Sequence, residues 1–406
     1  MKKALCFILF ICMAFSVGCQ KQAVPEYESF RIAKVAAFPD NVDEIPASSE
    51  RGYYNFSASL FSENKGDNAL FAPLPLYVAL GMTMNGAEGR TLREMQIAMC
   101  NTVENVNLFT RAANAEVAAA SSRVSLANSI WIRDVYGEKV KESYLDKVAD
   151  YYAPEIFSLP FDEQAVLLIN SWAKDSTNGK IEKIIDGLDS NAVMELVSAL
   201  YIKSGWTAEG KDLGQMSFKN QDGSEGKAKY FDGTSTLYFS DRAYAVKRGL
   251  EGDWFMLAVL PSEKENFNDY LADFDGEELY RLMNEVDPRG AKYVFPEFEN
   301  ENSLSLIPLL KNLGINDAFS DATADFSNMM KEVNGLYITE AEQKARISVT
   351  RTGLEGAATV RVEMGRKSSG DQVSDNAMQI DFNRPFLYFI CTPKGVPVMQ
   401  GTVTKL

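Results

Sequence analysis

The side chains able to do chemistry in this chain are defined first by one that is missing. Its 406 residues include no histidine, which removes Ser-His-Asp and Cys-His catalysis, imidazole metal sites and a proton shuttle near neutral pH. Carboxylates are plentiful, and "DGLDSN" (Asp186 to Asn191) faintly resembles a calcium loop, but it lacks the closing Glu and reads as an ordinary loop. There is no Gly-rich phosphate loop, and nothing supplies a base of suitable pKa beside a nucleophile, so an enzyme is the weakest reading. The stretch that stands out is "TRTGLEGAATVRVEMGRKSSGDQV", Thr350 to Val373. Small residues lead into alternating apolar ones, then Arg366-Lys367, then loop residues: a strand that ends in exposed protease bait.

Side chains alternate faces along a strand. One face of this stretch carries Leu354, Gly356, Ala358, Val360, Val362 and Met364, all apolar or small. The other carries Glu355, Ala357, Thr359, Arg361, Glu363 and Gly365. No charge falls on the first set, which therefore reads as an inward face. Gly353, Leu354, Glu355, Gly356, Ala357 and Ala358 form a hinge, where small residues let the backbone pass from strand end into turn.

The elements that must position this segment follow from periodicity. "RGYYNFSASLFSENK" and "PLYVALGMTMNGAEGRTLREMQIAMC" space apolar residues by three and four, so the first third is helical. "VSLANSIWIRD" and "VMELVSALYIKSGW" read as strands. "KVKESYLDKVADYY", "NSWAKDSTNGKIEKII" (capped near Gly179) and "LSLIPLLKNLGINDAF" read as helices. "YAVKRGLEGDWFMLAVLPSE" is a strand pair with a Gly turn, and "RPFLYFICTPKGVPVMQGTV" a hairpin turning at "PKG". Helices early and long strands late indicate an α+β fold. Apolar residues at 46% and charged ones at 24% are those of a folded protein. No linker or repeat interrupts residues 46–406, which read as a single domain.

The N-terminus "MKKALCFILFICMAFSVGCQ" reads as an export signal over residues 1–18, its apolar core of 13 residues being too short to span a bilayer. Gly18-Cys19 resembles a bacterial lipoprotein cleavage site, with Cys19 as the lipidated residue. The expected location is a bacterial outer membrane, cell surface or periplasm. Residues 19–45 then read as a tether. Loss of Lys2 and Lys3 with the signal takes the net charge from -15 to -17, a surface that repels nucleic acid and heparin-like polyanions. Cys100 and Cys391 remain in the body and read as buried thiols rather than a disulfide framework.

Six stretches in order resemble the serpin family over about residues 46–406. They are "NALFAPLPLYVALGMTMNGAEGRT", "INSWAKDSTNGKIEKII" with "LVSALYIKSGW" ending at Trp206, "LKNLGINDAFSDATADFSNM", "GLYITEAEQKARISVTRTGLEGAAT", "FNRPFLYFI" and "VMQGTV". The resemblance implies three β-sheets, eight to nine helices and an exposed reactive loop at about 353–379. It also implies a suicide mechanism, in which a serine or cysteine protease cleaves the loop, which then inserts into the main sheet before deacylation finishes.

The family's usual spacing from the hinge, counted from Gly353, lands on Lys367-Ser368, with Arg366 adjacent. A basic bait residue suits trypsin-like serine proteases. The loop after Lys367 is longer than the family's, leaving open a bait bond further on. Where the sheet must part, the family brings together Ser, Ser, Asn and His. This chain has Ala72, Pro75, Ser198 and Gln343, of which Gln343 and Ser198 could still pair. At the hinge it has Leu354 where the family often has Thr or Ser. The expected partner is a target protease met by a monomer without a cofactor. The alternatives are a non-inhibitory serpin or mere protease substrate and, from another class, a ligand-binding surface lipoprotein.

Overall fold

A computed structural model describes residues 26–34, 45–62, 68–120, 124–177, 179, 181–189, 191–333, 335–356 and 376–406. In chain order the first elements are β1 (Arg31–Lys34), α1 (Ala47–Ser59), β2 (Leu70–Phe71), α2 (Pro73–Met84), α3 (Gly89–Ala98) and α4 (Val103–Ala119). Proline is tolerated in a first helical turn, where the amide N–H has no intrahelical partner, so "PLPL" opens α2 rather than breaking it. Nearly all of α2 is buried, which makes it the strut beneath the main sheet. Thr102 caps α4 by accepting from the Asn105 N–H at 3.3 Å.

Next come β3 (Val124–Arg133), α5 (Glu142–Tyr152), β4 (Glu155–Leu159), α6 (Glu163–Ser176) and β5 (Met194–Gly205). Asp162 caps α6 through the N–H groups of Gln164 and Ala165, and Gly179, at φ 80°, follows the helix end. β6 (Asp212–Lys219), β7 (Glu225–Phe239), β8 (Ala243–Gly249) and β9 (Phe255–Pro261) form a meander, with Gly252 at φ 71° turning the last pair. The chain continues through α7 (Phe267–Ala272), α8 (Gly276–Asn284), β10 (Val286–Pro296), β11 (Phe298–Ser305) and α9 (Ile307–Asn312). It closes with β12 (Glu342–Thr350), β13 (Gly353–Gly356), β14 (Met378–Asp381), β15 (Phe386–Cys391) and β16 (Pro397–Val403).

The strands make a seven-stranded sheet, ordered β1-β4-β3-β5-β13-β12-β11, and a nine-stranded one, ordered β14-β10-β7-β8-β9-β15-β16-β2 with β6 on β7. The expected second and third sheets are thus one ladder. They are joined because β7, at 15 residues, is long enough to pair with β6 over Glu225–Phe231 and with β8 over Leu237–Phe239, while β10 pairs with it from Tyr230 to Tyr238. The main core lies between the sheets and the early helices. A second one sits under α6, where Trp131 stacks on Phe157 at 4.1 Å and meets Trp172 edge-on at 6.3 Å.

Three further expectations are corrected. Residues 27–34, assigned to the tether, are folded: Tyr27–Phe30 makes a 3-10 turn and β1 pairs with β4, with the Arg31 guanidinium on the Glu155 carboxylate and Tyr27 and Phe30 packed against the α6 core. In "LSLIPLLKNLGINDAF" the first residues belong to β11 and only Ile307–Asn312 is α-helical, because Gly314 takes φ 102°. Cys391 is buried as expected, whereas Cys100, at φ 53° in the turn between α3 and α4, is exposed.

Candidate functional site

The alternation in Leu354–Met364 enters the fold at β13. This short strand lies between β5 and β12 and pairs with both, Leu354 opposite Ser204 and Val349, and Glu355 opposite Lys203 and Ser348. Leu354 points inward and is 2% exposed, so the position accommodates a side chain larger than the family's Thr or Ser. Glu355 points to the other face and pairs with Lys203 at 3.4 Å. Gly353 has to be glycine, since a Cβ there would lie 2.5 Å from the Ser204 carbonyl oxygen.

The turn before the hinge is fastened from several sides. The Trp206 indole N–H donates to the Thr350 carbonyl at 2.8 Å, and the Arg351 N–H donates to Glu297 Oε1 at 2.8 Å. Trp206 is itself held by Arg248, whose guanidinium carbon lies 4.5 Å from the Trp206 ring and 4.5 Å from that of Phe231. Arg248 also donates to the Tyr293 hydroxyl at 2.9 Å and the Ala208 carbonyl at 3.2 Å. Burial lowers its pKa from the usual arginine value, with Tyr293 opposing the shift.

Below Gly356 the sheet is open. Among the described residues β5 and β12 do not pair with each other, and a cavity of about 770 Å³ lies between their lower halves and α2. Ala72, Pro75, Ser198 and Gln343 all line it, so the four positions chosen from the sequence do converge. The expected pairing of Gln343 with Ser198 is not made, because the two stand on opposite sides of the opening. Instead Gln343 accepts from the Ala72 N–H and donates to the Ala72 carbonyl, both at 2.9 Å. Ser198 donates to Asn128 Oδ1 at 2.8 Å, and Asn128 donates to the Tyr152 carbonyl at 3.1 Å. Lower on β5, burial and then the charges of Glu340 and Asp189 raise Glu195 to about 7.

Sequence reasoning missed Asn128, Lys203 and Arg248. A lone amide inside the apolar run "VSLANSIWIRD" was a signal for the first, whereas the others act through contacts that no spacing encodes. Of the expected site, Ala357, Ala358, Val360, Val362, Met364, Arg366, Lys367 and Ser368 lie outside the described residues, as does Cys19. Among the described residues no helix is long and apolar enough to cross a membrane.

Comparison with known proteins agrees with this geometry. The model of the family Serpin (serine protease inhibitor) matches residues 53–406. Neuroserpin of Gallus gallus is 27% identical over 348 residues, 79% of this chain and 82% of that protein. Antithrombin-III of Homo sapiens is 25% identical over 376 residues, 85% of this chain and 78% of that protein. Among solved structures, the thermophilic serpin tengpin in its native state superposes with a TM-score of 0.77 at 26% identity, over 92% of this chain and 100% of tengpin. Its latent state gives 0.75 at 27% identity, over 90% and 100%.

Proposed function

We propose, from the premise that this chain belongs to the serpin family, that it traps a protease as a covalent acyl-enzyme by inserting its cleaved loop into the seven-stranded sheet. Members of the family are in general protease inhibitors rather than catalysts. The observation that carries the finer reading is β13: the hinge is already paired on both sides, with Leu354 buried above an open slot.

Insertion of residues 357–364 fills that slot with a strand. Burying Val360, Val362 and Met364 contributes about 1.5–3 kcal/mol each, and the facing edges of β5 and β12 gain ladder partners. The target is a trypsin-like serine protease that takes Arg366 or Lys367 as its bait residue, and a cysteine protease is the second choice. Export and lipidation of Cys19 would present the inhibitor at a bacterial surface or periplasm as a monomer.

Mixing the protein with trypsin tests this. The expected product is an adduct stable on a denaturing gel, with release of a C-terminal peptide beginning at Ser368 or Lys367. Cleavage without an adduct would favour the substrate reading. Loss of membrane association in Cys19→Ala tests the anchor.

A further inference from the structure

The cavity between β5, β12 and α2 has two kinds of wall. Met194 and Leu196 of β5 line it with Leu80 of α2 on the side of the main core, and Ile184 and Ile185 of the segment after α6 line it on the other. Side chains alternate faces along a strand. Glu195, between Met194 and Leu196, therefore turns to the α6 side, where it stands opposite Trp131 of β3, a residue buried under α6. Glu340, just ahead of β12, lines the same cavity. Among the described residues β5 and β12 do not pair with each other, so the opening between them joins the two sides. At about 770 Å³ the cavity has the size of a site for a small organic molecule, about 300–1,000 Å³.

The charge that acts at this point is of one sign. Among the described residues the Glu195 carboxylate has no cation or hydrogen-bond donor paired with it, and burial, then the charges of Glu340 and Asp189, hold it at about 7. Glu340 is raised too, chiefly by burial and then by Glu342, Asp189 and Asp186. The basic groups nearby are engaged elsewhere. From β3, Arg133 lies over the Phe161 ring at 5.3 Å and donates to the Asp189 carbonyl at 3.4 Å. From the segment after α6, Lys183 pairs with Asp186, and Glu182 pairs with Lys174 of α6 at 3.1 Å. From β12, Lys344 reaches Asp186 at 3.5 Å. Tyr136 and Tyr337 contribute aromatic rings to the wall. A carboxylate withdrawn from water among like charges is stabilised by a cation brought from outside the chain.

We propose that this end of the cavity binds a small organic cation, its primary ammonium group held by the Glu195 and Glu340 carboxylates and its aliphatic tail lying along Met194, Leu196 and Leu80. Charge and wall type select the ligand together. An ammonium group carries enough N–H donors to serve both carboxylates, and charge-assisted bonds of this kind are stronger where water is excluded. A carboxylate ligand of the same length meets repulsion instead. The inference goes beyond the inhibitory reading and is independent of it, since it uses the cavity as it stands and no movement of the chain. The ammonium pairs with the ionised form of Glu195, so affinity follows the ionised fraction. For a group at about 7 that fraction is about a tenth at pH 6 and about nine-tenths at pH 8, and binding therefore tightens as pH rises.

Isothermal titration of the protein with n-octylammonium chloride at about pH 6 and about pH 8, at constant ionic strength, tests this, with sodium octanoate as the probe of opposite charge. The expected result is saturable binding of octylammonium, about tenfold tighter at the higher pH, and no binding of octanoate. Glu195→Gln should bind octylammonium about tenfold more weakly than the wild type at pH 8, with the same affinity at both pH values. Glu340→Gln, at an exposed position that folding tolerates, should weaken binding several-fold at pH 8 and keep the pH dependence. It carries the test alone should Glu195→Gln fail to fold. Absence of octylammonium binding, equal binding of octylammonium and octanoate, or an affinity unchanged in Glu340→Gln or in folded Glu195→Gln overturns the inference.

Discussion

Gln343 satisfies both backbone polar groups of Ala72 with a single side chain, accepting from its N–H and donating to its carbonyl at 2.9 Å each. The bond pair ties the start of β12 to the residue that opens α2, across the lower end of the slot. Two hydroxyls and an imidazole are not needed there, because the amide reaches backbone instead of side chains. Gln343→Ala should leave the Ala72 N–H unpaired, while the carbonyl keeps the Leu76 N–H at 3.3 Å, and lower stability by about 1–3 kcal/mol, read from urea unfolding of the intact protein.

Leu354 is the first inward residue of the segment proposed to insert, and it is already buried between Ser204 and Val349. Leu354→Asp places an unpaired carboxylate in that position at a cost of several kcal/mol, on the order of 2–4. Because Leu354 is buried in the intact protein too, that cost should appear as a lowered urea midpoint of the intact protein. Val360→Glu carries its penalty only in the proposed inserted state, so the partition between trapped adduct and released, cleaved protein should shift toward cleavage by at least about tenfold, since about 1.4 kcal/mol is a factor of ten. A variant that still traps trypsin at wild-type stoichiometry would show that the inward face is wrongly assigned.

Trp206 contributes its indole N–H to the Thr350 carbonyl while its ring lies against Arg248. Trp206→Phe keeps an aromatic surface for the guanidinium and deletes the hydrogen bond. A loss of about 0.5–1.5 kcal/mol is expected from that bond. Hydrogen exchange at Thr352 and Gly353 should quicken, whereas exchange in β16, remote from the turn, should not change.

Arg90 grips Asp317 with two guanidinium nitrogens, and that hydrogen-bonded pairing, ahead of the simple charge attraction, lowers the aspartate's pKa. A depressed folded-state pKa means that the pair's stabilisation is present above the unfolded value of about 3.9 and is lost as pH falls through the lower folded one. Asp317→Asn should flatten the acid limb of the stability curve below about pH 4 and leave its neutral-to-alkaline part unchanged in slope. A pH series of thermal midpoints checks both.

Much of this architecture is legible in the sequence, because it rests on local periodicity. The strand run Met194–Gly205, the capped helix before Gly179, the Gly turn between β8 and β9 and the inward place of Leu354 all follow from spacing and turn chemistry. Long-range pairing is not encoded that way. Nothing local distinguishes "FRIAK" as an edge strand from the tether around it, since β1 gains its structure from β4, well over a hundred residues away. The same holds for Gln343, whose partner is Ala72 rather than Ser198. Cys100 misled for another reason: Ala98 and Met99 just before it are buried, but Cys100 itself takes the left-handed conformation in the turn after α3 and is exposed.

β1 also fixes where the body can be pulled. A load applied ahead of Glu26 would pass through the Tyr27–Phe30 turn into β1 and from there into β4, at one edge of the seven-stranded sheet. Ladder bonds loaded along the strand direction share force, whereas those loaded across it break one after another. A load entering at β1 would thus reach the sheet at the edge farthest from β11, with β3 and β5 standing between it and the slot.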